Sequence, residues 1–111
     1  MGDQYRIEWS PAAIVDLEDI FSYVAVQDGV MAAENLHTKL QRRIQSLASY
    51  PFRCGLTPEL KQIGHRTYRD MSLPPYRVFF RVEGKVAGIV GVLDARRSLE
   101  QLLVNRALED D

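Results

Sequence analysis

Apolar positions along this chain change their period twice. In the stretch QYRIEW, residues 4–9, Tyr5, Ile7 and Trp9 alternate with polar neighbours, as expected of a half-buried strand. From Ser10 the period lengthens to that of a helix: Ile14, Leu17, Phe21 and Val24 form one stripe. Ser10 is a good N-cap, Pro11 suits the first helical position, and Asp16, Glu18 and Asp19 follow early. Asp28-Gly29 predicts the end of that helix. A second helical stripe, Ala33, Leu36, Leu40, Ile44 and Leu47, runs over about 30–49 and stops at Tyr50-Pro51, because the residue before proline is pushed out of the helical region. So short a connection predicts an antiparallel helical hairpin. Residues 51–65 read as a loop with an exposed PELKQ turn.

The period then falls back to two. Strand-like runs at 66–72, 75–82 and 85–94 are separated by LPP and EGK, which predicts an antiparallel meander. SLEQLLVNRAL, residues 98–108, closes the chain as a short helix with Leu99, Leu102, Leu103 and Arg106 on one side. The expected fold is α+β: an N-terminal strand, a two-helix hairpin packed on a mostly antiparallel four-stranded twisted sheet, and a short C-terminal helix.

The run YRVFFRV complicates this picture. Its even positions, Tyr76, Val78, Phe80 and Val82, make a clean core face for the hairpin. Its odd positions put Arg77, Phe79 and Arg81 together on the other face, where Arg69 could join them if the register allows. An open sheet face carrying several guanidinium groups would suit phosphates or carboxylates. It would equally suit arginines that snorkel over an uncovered sheet and pair with Asp70 or Glu83. On the open-face expectation, Arg77→Ala leaves the fold intact. Arg96 and Arg97 add a basic point where the last strand should end, with Asp94 as a possible partner.

Composition narrows the function classes. The 111 residues, 46% of them hydrophobic, suffice for one domain spanning 1–111. No apolar run approaches a membrane helix, and the N-terminus lacks the zones of a signal peptide, so a cytoplasmic protein without a membrane partner is expected. Cys54 is the only cysteine, which excludes an internal disulfide or a cysteine metal cluster. There is no glycine-rich phosphate loop and no metal-ligand spacing, so neither cofactor nor metal is expected. The net charge of −1 hides an asymmetry: residues 1–52 carry −3, and residues 53–106 carry +5. Asp16 and Asp19 read as a solvated helix face near an N-terminus. His37 reads as structural or surface, and His65 stands at a strand entrance from which it could reach the open face.

YRIEWSPAAIVDLEDIFSYVA and YRDM…PYRVFFRVEGKVAGIVGVLDARRSLEQLL resemble the opening and closing parts of the RelE/ParE superfamily, toxins of bacterial type II toxin–antitoxin (plasmid stabilisation) operons. The resemblance covers residues 4–104 and rests on element order and the YR–PYR–RR spacing. It implies a cognate antitoxin partner and one of two activities. RelE-like members cut mRNA on the ribosome; ParE-like members block DNA gyrase and are not enzymes. In the RelE-like pattern Arg77 matches the strand arginine, Arg96 the arginine ending the last strand, and Arg69 falls where that pattern has a lysine. Met71 replaces a second lysine, and Leu102 stands near the place of a tyrosine.

These departures bear on the chemistry. Cleavage by 2′-hydroxyl attack needs a proton acceptor and a proton donor, and arginine is a poor base. His65 is the remaining candidate, beside Arg77, Arg96 and Arg69. The pI of about 6.1 suits ribosome binding poorly. ParE-like growth arrest through gyrase is therefore the leading expectation, with Arg77, Phe79, Arg81, Arg96, Arg97, Leu102 and Leu103 facing target or antitoxin. RelE-like cleavage and an inert antitoxin-binding module are the alternatives.

Overall fold

The computed structural model describes residues 4–109. Strand β1 (Arg6–Trp9) leads into helix α1 (Pro11–Asp28), then α2 (Val30–Gln45), with short 3-10 turns at Ser46–Ala48 and Pro51–Arg53. A single helical turn, α3 (Pro58–Lys61), precedes β2 (Tyr68–Leu73), β3 (Tyr76–Glu83), β4 (Val86–Asp94) and the C-terminal helix α4 (Glu100–Glu109). The α+β architecture is the one expected.

Local signals explain where the elements start and stop. The Ser10 hydroxyl accepts from the Ala13 amide at 3.1 Å, and Pro11 opens α1. Gly29, at φ 99°, separates the two helices in a conformation that side chains with a Cβ disfavour. Gly84, at φ 60°, plays the same part in the turn between β3 and β4.

The sheet order is β1-β4-β3-β2, with β1 parallel to β4 and the other pairs antiparallel. The hairpin of α1 and α2 covers one face. Ala13, Leu40, Ile44 and Leu47 from the helical side meet Met71, Leu73, Tyr76, Val78, Phe80, Ile89 and Val92 from the sheet. The stripe on α1 is rotated from the expected one: Ile14 is exposed, while Ala13, Leu17, Ile20 and Phe21 turn inward.

The opposite sheet face is not open. Leu60 of α3 and Leu99, Leu103 and Ala107 of the C-terminal segment bury Tyr68, Phe79 and Val90 in a second core. PELKQ is therefore no exposed turn; its leucine is inside and its glutamate half-buried. A β-bulge makes this face possible. Phe79 pairs with Gly91, yet Phe80 pairs with Ile89, so Val90 is the extra residue of β4. The bulge sends Val90 into the second core while Ile89 and Val92 remain in the first. Among the described residues no helix is long and apolar enough to cross a membrane.

Candidate functional site

The register between β2 and β3 decides which arginines share a face. Arg69 lies opposite Phe80, Asp70 opposite Phe79, and Tyr68 opposite Arg81. Directly paired side chains leave a sheet on the same side. Arg69 therefore belongs to the hairpin side with Met71, not with Arg77 and Arg81. It donates to the Cys54 carbonyl at 2.7 Å and lies over the Phe52 ring at 5.0 Å. The expected grouping of Arg69 with Arg77 does not form, because one residue of register sends neighbours to opposite faces.

Arg77 is on the expected face but is already engaged. Its guanidinium grips the Glu59 carboxylate of α3 at 2.5 and 2.9 Å, bonds Asp70 across the strand pair, and lies 4.9 Å from the centre of the Phe79 ring. Only 19% of its side chain is exposed. Its hydrogen bonds to Glu59, then to Asp70, raise the guanidinium above its ordinary value, and its bond lowers the Glu59 carboxyl. Asp70 goes the other way, since burial pushes its carboxyl up against the pull of Arg77. This is a structural clamp that pins α3 to the sheet. The expectation that Arg77→Ala leaves the fold intact rested on an open sheet face, and that premise does not hold, since Arg77 is paired and largely covered.

Phe79 and Leu103, expected to face a partner, are each 2% exposed and pack against one another's surroundings in the second core. They offer no surface, because α4 lies over the sheet at this point. Arg81 is half-buried and paired with Glu83. His65 is exposed after α3, its ring tilted against Tyr68 at 6.0 Å between centroids.

The end of β4 is different. Arg96 is exposed and folds back on Asp94, whose carboxylate takes the Arg96 side chain at 2.7 and 3.0 Å and its backbone amide at 2.9 Å. These bonds lower the Asp94 carboxyl to about 2. Arg97 is exposed beside it, and both line a cleft of about 230 Å³ with Asp19, Ile20, Tyr23 and Tyr76. Leu102 is 38% exposed on the outer side of α4.

Asp16 is not on a solvated face. It forms a forked pair with Arg106 at 2.7 and 3.1 Å and accepts the Val92 amide at 3.0 Å. Arg106 also donates to the carbonyl of the bulged Val90 at 2.8 Å, and the Asp16 carboxylate raises its guanidinium. A Cβ on Gly91 would stand 2.8 Å from Arg106 Nη1 and 3.3 Å from Asp16 Oδ2. The bulge, the glycine and the ion pair thus form one joint holding α1, β4 and α4 together. The acid at 16 and the arginine at 106 were visible separately; nothing local linked them.

Residues 7–99 match the family of the ParE toxin of type II toxin–antitoxin systems, parDE. The chain belongs to the ParE toxin family. Among solved structures it resembles the chromosomal ParDE toxin–antitoxin system from P. aeruginosa, with a TM-score of 0.68 at 21% identity, over 82% of this chain and 96% of that one. At that identity the likeness concerns the fold. Comparison with curated protein sequences gave no match. Seen as a ParE-family chain, it keeps exposed charge at Arg96 and Arg97, while Arg77 and Arg106 serve the fold.

Proposed function

We propose that this protein is a toxin that inhibits DNA gyrase in the cytoplasm and is held inactive by a cognate antitoxin. Membership of the ParE family supplies the toxin class. The observation that carries the gyrase target over RNA cleavage is the engagement of Arg77. In a RelE-like site that arginine would face substrate; here Glu59 and Asp70 occupy its donors. Arg69 and Met71 lie on the other side of the sheet from Arg77, which supports this reading over a nuclease groove. An arginine that cannot serve as a base and is already neutralised contributes little to phosphoryl chemistry.

The target-facing surface in this proposal is the turn after β4 with the outer side of α4, carrying Arg96, Arg97 and Leu102. The experiment is DNA supercoiling by purified gyrase with the protein freed of antitoxin. Inhibition with accumulation of cleaved DNA is expected, and Arg97→Glu together with Leu102→Asp should weaken it. Undiminished supercoiling in the presence of folded protein that still arrests growth would overturn the target, and mRNA cuts in a translating extract would replace it with RelE-like cleavage.

A further inference from the structure

Away from the sheet faces, the 49–53 turn and the start of β1 bring together aromatic rings and cations that the toxin reading does not use. Tyr5, Ser49, Tyr50, Pro51, Phe52 and Arg53 line a cleft of about 460 Å³. Tyr50 is 54% exposed and Phe52 is 56% exposed. Exposing two large rings side by side is costly in water, so such a patch signals a contact surface. The rings are ordered against one another and against cations. Tyr5 meets Phe52 edge to face at 6.1 Å. Arg53 lies over Tyr50 at 5.8 Å, Arg69 over Phe52 at 5.0 Å, and Lys85 over Tyr5 at 5.1 Å.

Within the described residues neither Arg53 nor Arg69 has a carboxylate partner among the ion pairs of the fold. Beside them, burial raises the Cys54 thiol; Arg53 pulls it down, Asp70 pushes it up, and Arg43 and Arg69 pull it down again. The patch is therefore apolar and positive together.

We propose that this cleft receives a segment of a protein partner in which a large apolar side chain is flanked by carboxylates. The apolar side chain enters between Tyr5, Tyr50 and Phe52, and the carboxylates meet Arg53 and Arg69. Charge complementarity selects an acidic segment. The overall charge favours a peptide over a nucleic acid, since a chain of net charge −1 gains little from a polyanionic backbone. A cation already occupies one face of each ring, which leaves fewer faces for nucleobases to stack on. The inference concerns a surface separate from the proposed gyrase-facing turn, and its test needs no gyrase.

The test titrates the ¹⁵N-labelled full chain with the probe acetyl-Asp-Glu-Trp-Glu-Asp-amide. Amide shifts confined to Tyr5 and residues 49–53, with the Arg69 side-chain signal, are the expected result. Phe52→Ala and Arg53→Glu, both at exposed positions and so compatible with folding, should each weaken binding about fivefold, the loss of roughly 1 kcal/mol expected for one cation–aromatic contact. Equal binding of a peptide with lysines in place of its acids would overturn the proposal, as would shifts located elsewhere or none at millimolar probe. Tighter binding of oligothymidylate at the same residues would assign the cleft to single-stranded nucleic acid instead. Shifts at these residues that depend on protein concentration without peptide would assign it to a second copy of the chain.

Discussion

On the hairpin side of the sheet, Val78, Phe80, Ile89 and Val92 are covered by two helices whose contacts are almost wholly apolar. On the other side, Phe79 and Val90 are covered by a ten-residue helix and a single turn, and charged side chains complete the seal. Arg77 fastens the turn through Glu59, and Arg106 fastens the helix through Asp16. The first face is stabilised by area, the second by a smaller area plus geometry that fails as a unit if one partner is lost. Apolar burial tolerates local adjustment, whereas a half-buried ion pair that loses one member leaves the other desolvated and unpaired.

That contrast can be broken from either side. Truncating the first core should have the largest effect: Phe80→Ala, at a fully buried site, is expected to cost about 3–5 kcal/mol in urea unfolding. Asp16→Ala should cost about 3 kcal/mol, because it strips Arg106 and the Val92 amide of their acceptor. Its signature is local: hydrogen exchange should rise across α4 while β3 amides keep their protection. Uniform loss of protection would mean that the two faces are one cooperative unit and the contrast is false.

Arg77→Ala should cost about 2 kcal/mol, the scale of charged hydrogen bonds lost by Glu59 and Asp70. Asp70→Asn in the same chain should recover part of it. The sign follows from burial, which raises the Asp70 carboxyl, so its ionised form is the one that costs stability and removing the charge relieves it. No recovery in the double variant would mean that Glu59 alone matters to the clamp.

The smallest effect is set by pH. Asp94 is held down at about 2, so the stability it lends the turn is complete above the ordinary carboxylate value of 3.8 and is lost as pH falls from there towards 2. Carbon-detected titration of the Asp94 carboxyl should place its midpoint near the lower value, and Arg96→Ala should raise it only part of the way, because the backbone amide of residue 96 still donates to the carboxylate. A normal midpoint in the unaltered protein would show the Arg96 contact to be transient.

The same contrast explains what was legible beforehand. Ser10, Pro11 and Gly29 act within a few residues of themselves, and the alternation of Tyr76, Val78 and Phe80 needs only the pleat of one strand. The hairpin face was therefore readable, apart from the rotation that leaves Ile14 outside. The second face depends on meetings across the chain. Asp16 looked like a solvated acid because its partner stands 90 positions away. Glu59 and Leu60 looked like loop residues because one helical turn has too few positions to show a period. Spacing puts Arg77 on its correct face and leaves open whether it pairs with Asp70, as it does, or faces a ligand; the second partner, Glu59, comes from an element with no period to read. The candidate site was legible to the same degree: Arg96 and Arg97 lie at the exposed strand end as expected, whereas Phe79 and Leu103 are covered by a helix whose docking no local pattern announced.

The parallel pairing of β1 with β4 has a temporal consequence. Strand β1 has no strand partner until residues 86–89 have been synthesised, and Asp16 lacks its Arg106 partner until residue 106 follows. Antiparallel β2, β3 and β4 can pair as they emerge, but the edge that closes the sheet waits for residues 86–89 and the joint that seals its second face waits for residue 106. Arg6 must find a partner 80 positions on and Asp16 one 90 positions on, the kind of long-range closure that slows folding. A nascent copy that stops before residue 106 therefore has no means of making the Asp16 joint.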